Sequence, residues 1–244
     1  MKATELYYEL ERRIPKGLSE EWDNDGIMLL PGDKEINNVL IALDVTPKVA
    51  KEAIEGGYDL IITHHPMIFH PLKSVRDEKI INLLKNDVCV FSFHTRLDTV
   101  AGGVNDTLCD LLGLKDVTLF CEMGRVGKLK HSMNTGELCK LIKEKTFAPS
   151  VNASCEVDKI STAALLGGGG KDFFKESKDI ADVYITGEMS YNTMLDASEM
   201  GICVIEAGHF YTEFPVCKTL ENMIGDIDAG IKTHIMFDYP IKSY

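Results

Sequence analysis

Four of the seven histidines in this 244-residue sequence, His64, His65, His94 and His209, stand at the carboxyl end of a short, β-branched apolar run. In α/β sheets ligands collect at that end of the strands, where loops and helix starts leave room. Two of the four are followed four positions later by a carboxylate, His94 by Asp98 and His209 by Glu213. Imidazole nitrogen and carboxylate oxygen, without thiolate, are the donors of Zn, Mn, Fe, Co or Ni rather than Ca. The chemistry implied is divalent-metal binding.

Each motif has its own logic. In Ile61-Ile-Thr-His64-His65-Pro66, adjacent side chains of a regular strand would point to opposite faces. Pro66 has no N–H to give to a ladder, so the strand ends there and both imidazoles can turn into one cleft. The plainer alternative is one core and one surface histidine. Asp98 is the anionic oxygen donor of the second motif. His94 is a candidate catalytic acid or base, a further ligand, a residue orienting a ligand, or a hydrogen-bonded core histidine. In Gly208-His209-Phe-Tyr-Thr-Glu213 the glycine permits a sharp exit from the strand. A helix starting near Thr212 would put Glu213 in its first turn, where it bridges two metals or, on the plainer view, caps the helix. His64, His65, Asp98, His209 and Glu213 thus supply three imidazoles and two carboxylates. Two ions about 4 Å apart can share a carboxylate and a water and keep open positions.

Other features are less committed. Gly167–Gly170 before Lys171 is either an anion cradle opening a helix or a tight turn; it is not a P-loop, since Asp172 stands where Ser or Thr is needed. Trp22-Asp-Asn-Asp-Gly26 is a polar turn beside the only tryptophan, near the cleft or a purely structural Asx-turn. Arg96 is a candidate for an anionic ligand or an exposed ion pair. His70, His131 and His234 fit no ligand spacing.

These residues need a scaffold of strands and helices. Strands are expected at 39–45, 59–63, 88–93, 117–121, 160–166, 182–186, 202–206 and 233–237. Helices are expected at 1–15, after Thr46-Pro47, and at 76–85, 104–112, 136–145, 171–178, 189–200 and 214–224. Such alternation predicts α/β layers with largely parallel pairing. A weak internal repeat runs through them. Val39–Leu43 matches Thr162–Leu166, Asp59–His65 matches Asp182–Glu188, and Val90–Asp98 matches Ile205–Glu213. Two similar α/β domains are expected, residues 1–125 and 126–244, with layered sheets flanked by helices and the metal site between them. The boundary falls near Met123 to Ser132 unless that stretch is a hairpin within one sheet, and a last strand at about 232–244 can return to the first domain.

Composition narrows the classes. A net charge of −12 argues against binding nucleic acid through its phosphates, though metals can supply local positive charge for a small phosphorylated ligand. No run approaches the ~18 apolar residues of a membrane span. Seven cysteines with no C-x-x-C pair are expected as reduced core residues. With an acidic amphipathic stretch rather than a leader at Met1–Pro15, a cytoplasmic protein is expected.

The strings WDNDG, ALDVT, THHPMIF, HTRLD with GGVND, DVYITGE and AGHFYTE resemble the Nif-three-like family, also described as GTP cyclohydrolase 1 type 2 homologs. The resemblance covers about Trp22 to Glu213. It implies two α/β domains holding a dinuclear centre on His64, His65, Asp98, His209 and Glu213, and a homohexameric ring. Two positions depart from the family pattern: Arg96 replaces a frequent Asn, and Asn192 follows Tyr191 where the family has a Tyr-His pair. The function expected is a metal-dependent hydrolase using metal-activated water on a nucleotide or phosphorylated small molecule. The alternative is a non-catalytic metal-binding interaction or regulatory protein.

Overall fold

The computed structural model describes residues 1–241; the last residues of the expected 232–244 segment, 242–244, lie outside it. The chain forms two compact units, Met1–Val100 with Val216–Tyr244, and Ala101–Pro215. Among the described residues no helix is long and apolar enough to cross a membrane.

The first unit is built on strands β1 (Gly26–Leu29), β2 (Asn38–Ala42), β3 (Leu60–Thr63), β4 (Cys89–Ser92) and β11 (Lys232–Ile235), in sheet order β1-β4-β3-β2-β11. The four from β4 to β11 run parallel, and β1 closes one edge antiparallel to β4. β2, β3 and β4 are apolar almost throughout and buried almost throughout, as strands covered on both faces must be. Helix α1 (Ala3–Arg13) packs near α9 (Val216–Ile227). Helix α2 (Pro47–Glu55) opens on Thr46, whose Oγ1 accepts from Val49 N, with Pro47 in the first turn. Helix α3 (Glu78–Lys85) is capped by Asp77.

The second unit has β5 (Lys115–Phe120), β6 (Gly124–Met133), β7 (Asn152–Ala153), β8 (Ile160–Leu166), β9 (Val183–Thr186) and β10 (Val204–Glu206), in order β5-β6-β8-β9-β10-β7. β8, β9 and β10 are parallel; β5, β6 and β7 are antiparallel to their neighbours. Helices α5 (Val104–Leu112), α6 (Thr135–Thr146) and α7 (Tyr191–Glu199) accompany them. Leu108, Leu138, Ile142, Leu165, Val183 and Ile205 form its main core.

Several expectations change. The stretch expected to carry a boundary, Met123–Ser132, is mostly strand β6, paired with both β5 and β8; Lys128 and Lys130 are exposed on it, while Arg125 is buried. The units instead divide at Val100 and Pro215, whereas the last strand, β11, does return to the first sheet, where it pairs with β2. The helix expected at 171–178 is a set of turns with one 3-10 turn at Lys175–Ser177, which buries Phe174. β1 and β7 were not expected, the one beginning on Gly26 and the other only two residues long. Two short helices, α4 (Thr95–Thr99) and α8 (His209–Glu213), follow β4 and β10. The second helix begins at His209, so Glu213 is its last residue rather than part of a first turn.

Asp106 of α5 accepts two hydrogen bonds from the Arg125 guanidinium of β6, at 2.7 and 2.9 Å, and one from Gly102 N. Burial alone would raise the Asp106 carboxyl, but the Arg125 and Gly102 hydrogen bonds outweigh it and hold it below its ordinary 3.8. Its stabilising contribution is therefore complete above that pH and is lost as pH falls through the lowered value. Asp106→Ala, by removing the carboxylate from a nearly buried guanidinium that also donates to Met123 O and Gly124 O, is expected to cost about 3 kcal/mol at neutral pH and to flatten the acid side of the stability profile, read by urea unfolding from neutral to acid pH.

Candidate metal centre

β3 ends at Thr63, and the two residues beyond it leave the regular ladder. Thr63 Oγ1 donates to His65 O at 2.8 Å, and His65 N donates to Leu43 O at 3.0 Å. The chain is thereby turned so that both imidazoles occupy one place, with ring centroids 5.0 Å apart. His94, just past β4, joins them at 5.3 Å from His64 and 5.7 Å from His65. One ring nitrogen from each of the three lies within 4.8 Å of the others. Asp98 on α4 is buried, with Oδ1 3.6 Å from His64 Nε2. The first unit thus gathers His64, His65, His94 and Asp98.

Every one of these imidazoles has its other nitrogen committed. His64 Nδ1 is 2.9 Å from the Phe93 carbonyl, His65 Nδ1 is 2.8 Å from Asp44 Oδ1, and His94 Nδ1 is 2.8 Å from Asp23 Oδ1. A carbonyl or carboxylate only accepts, so Nδ1 must carry the proton and donate. Neutral imidazole then has its lone pair on Nε2. This is how protein imidazoles are oriented toward a cation.

The Trp22–Gly26 turn is the frame of the cluster rather than a bystander. Asp23 also accepts from Thr95 N and Thr95 Oγ1, at 3.0 and 2.6 Å. Burial pushes the Asp23 carboxyl up, yet the bonds from His94 and Thr95 outweigh burial and bring it down to about 2. Asp25 accepts from Arg96 Nε at 2.8 Å and from His94 N at 3.2 Å, and pairs with Lys16. Arg96 is wholly buried: it also donates to Ile14 O and Tyr7 Oη and lies over the Phe93 ring at 4.7 Å. It is therefore neither an exposed ion pair nor a ligand for an anion; it ties α4 to the N-terminal segment. Trp22 and Phe69, by contrast, remain 60% and 41% exposed. Their rings stand 5.9 Å apart, and each is within 6.3 Å of His94.

The second unit brings His209 and Glu213 together on α8, with Nε2 and Oε2 3.0 Å apart. His209 Nδ1 is 3.2 Å from Glu188 Oε2, just beyond β9. Gly168, at φ +64°, lies against this pair: a Cβ there would overlap Glu213 Oε1 and reach 3.1 Å from His209 Nε2. Gly167 N donates to Asn105 Oδ1, Gly168 N to Thr212 Oγ1, and Gly170 N to Thr186 Oγ1. With those N–H groups committed, the glycine run is a turn making room for Glu213, not an anion cradle.

The repeat is real in topology but slips in register. β4-β3-β2 and β10-β9-β8 have the same order and direction. Ile61 sits opposite Val90 and Tyr184 opposite Val204, while α4 follows His94 as cap and α8 follows Gly208. The place of His94 is thus taken by Gly208 and that of Asp98 by Thr212. His209 and Glu213 each lie one residue later, about 100° further around the helix. Asp23, Asp44 and Glu188 were the supporting residues that spacing did not single out as such, although each lies in a string that carried the resemblance.

The fold is α/β, and it carries groups of imidazoles and carboxylates that could hold a metal ion. The model of the Duf34/NIF3 (NGG1p interacting factor 3) family matches residues 1–239, and the chain belongs to that family. It is 35% identical over 248 residues to the GTP cyclohydrolase 1 type 2 homolog of Clostridium perfringens, covering 95% of each. It is 34% identical to the protein of the same description from Methanocaldococcus jannaschii, covering 95% of this chain and 98% of that one. Among solved structures, a hypothetical protein of Staphylococcus aureus superposes with a TM-score of 0.93 at 27% identity, covering 100% of this chain and 99% of that chain. Reduced HcgD from Methanocaldococcus jannaschii superposes at 0.85 and 31% identity, covering 98% of each.

If Asp23 and Asp44 hold the Nε2 faces of His94 and His65, Asp44→Asn should weaken first-row metal affinity roughly 10- to 100-fold with little change in fold, as measured by chelator competition. Gly168→Ala should displace Glu213 and lower metal content, measured by elemental analysis, because neither its backbone angle nor its space tolerates a Cβ.

Proposed function

We propose that the protein holds two divalent ions on His64, His65, Asp98, His209 and Glu213 and is a hydrolase acting on a small nucleotide or related phosphorylated compound. The observation that carries the metal assignment is the commitment of Nδ1 in all three ligand histidines to a carbonyl or carboxylate oxygen. The donor set is nitrogen and oxygen only, which suits Zn, Mn, Fe, Co or Ni. When bound, such ions supply Lewis acidity and bring the ionisation of water toward neutral pH.

The protein's own part in the reaction follows from His94. Its Nδ1–H is fixed on Asp23, so Nε2 is the atom that takes a proton from water and returns it to a leaving group. The Asp23 carboxylate steadies the imidazolium formed meanwhile. Trp22 and Phe69, pre-placed beside His94 by the Asn24 bond to Ile68 O, offer a face on which a planar base stacks, which favours a nucleotide over a plain phosphoester. The names of the relatives point to the same substrate class.

Elemental analysis of protein loaded with each metal in turn is expected to give two ions per chain, falling on His64→Ala or Glu213→Ala. Turnover against a panel of nucleotides and phosphoesters is expected to drop at least a hundredfold in His94→Ala while metal content is kept. Metal-loaded protein with no turnover above these variants would instead leave the non-catalytic, partner-binding reading. Because Trp22 is the only tryptophan, nucleoside monophosphates should quench its fluorescence and ribose 5-phosphate should not. Sedimentation of the same preparation tests the homohexamer.

A further inference from the structure

Away from the histidines, the edge of the second sheet places two cysteines opposite one another. β7 and β10 pair antiparallel, with Ala153 facing Ile205 and Asn152 facing Glu206. The pairing continues one step, Ser154 N donating to Val204 O at 2.9 Å and Val204 N to Ser154 Oγ at 2.8 Å. The next residues in that register are Cys155 and Cys203. Only one backbone bond joins Ser154 and Val204, and the chain bends at Ser154–Cys155; carried one step past the ladder, the same alternation would make Cys155 and Cys203 a non-hydrogen-bonded pair, the kind whose Cα atoms approach to about 4.5 Å. That separation lies inside the range a disulfide spans, roughly 4.4–6.8 Å.

The side chains agree with the register. Cys203 Sγ donates to the Cys155 carbonyl at 3.2 Å, and both residues pack on the same core, as directly opposed residues of a sheet must. Cys203 is buried and Cys155 half-buried, and both are free thiols. The Cys203 sulfur already lies against the Cys155 backbone, so the two thiols are neighbours.

We propose that Cys155 and Cys203 are a redox-active dithiol that closes to a disulfide on exposure to a peroxide. The more exposed Cys155 thiolate attacks the peroxide, breaking its O–O bond to give the sulfenic acid and one water. Cys203 then attacks that sulfur, forming the S–S bond and releasing a second water. Two thiols are oxidised by two electrons and one peroxide is reduced to two waters. Burial, with Cys155 beside it, pushes the Cys203 thiol up to about 12, so closure is faster at alkaline pH. The product staples edge strand β7 to β10, the strand that leads through Ala207 and Gly208 to His209.

Folded, full-length protein treated with hydrogen peroxide, blocked by alkylation and digested without reductant tests this. The expected product is a Cys155–Cys203 peptide pair, lighter by two hydrogen atoms than its thiols and released by dithiothreitol. It should vanish in Cys155→Ser and in Cys203→Ala and persist in Cys121→Ser and Cys139→Ser. Should the buried Cys203→Ala not fold, Cys155→Ser decides alone. The proposal is overturned if both thiols remain alkylatable while other cysteines oxidise, if either joins a different cysteine, or if Cys155 proceeds to sulfinic acid unlinked.

Discussion

An imidazole has two nitrogens, and only one can be offered to a cation in a fixed direction if the other is held. That constraint organises this molecule. The Phe93 carbonyl, Asp44, Asp23 and Glu188 each hold the Nδ1 of a different histidine, and each holder is itself placed by a strand end or a turn. Without the holders the same histidines would keep their places past the strand ends, but nothing would fix which nitrogen carries the proton. The sheets are the reason the holders are where they are: the end of β4 supplies the Phe93 carbonyl, the loop after β2 supplies Asp44, and the loop after β9 supplies Glu188.

The two units solve a similar problem differently. Both run three parallel strands in the same order and place a short helix after the third. In one, the cap residue is His94 and the polar turn of Asp23 and Asp25 fastens it from outside the ladder. In the other, the cap is Gly208, and the histidine is the first helical residue, braced by Glu188. The glycine at 168 in turn leaves space where the first unit has Asp44, because Glu213 occupies it. A one-residue shift is enough to exchange which side chain faces where, since each helical residue is turned about 100° from the last.

Both buried arginines among the described residues are held in pairs with a carboxylate. Arg96, with Asp25 and the Ile14 carbonyl, fastens α4 to the N-terminal segment; Arg125, with Asp106, fastens α5 to β6. Such groups cost much if one partner is removed, so they specify one arrangement of the elements carrying the histidines. Arg96 shows why composition misleads: an arginine two residues from a candidate ligand suggests anion recognition, but burial on every side makes it part of the frame.

Much was legible in the sequence because it depends on local pattern. The apolar runs of β2, β3, β4, β8 and β9, the Thr46-Pro47 helix start, and the gathering of His64 with His65 past a strand-ending proline all follow from period, capping and the missing N–H. Membership of a family was legible in strings such as THHPMIF and AGHFYTE. Tertiary structure alone decided the rest. It decided that Met123–Ser132 is a paired strand, that 171–178 coils to bury Phe174, that the last strand joins the first sheet, and that His94 and Gly208 are equivalent. Those outcomes rest on partners far along the chain, and spacing within a segment carries no information about which distant oxygen, ring or strand edge will meet it.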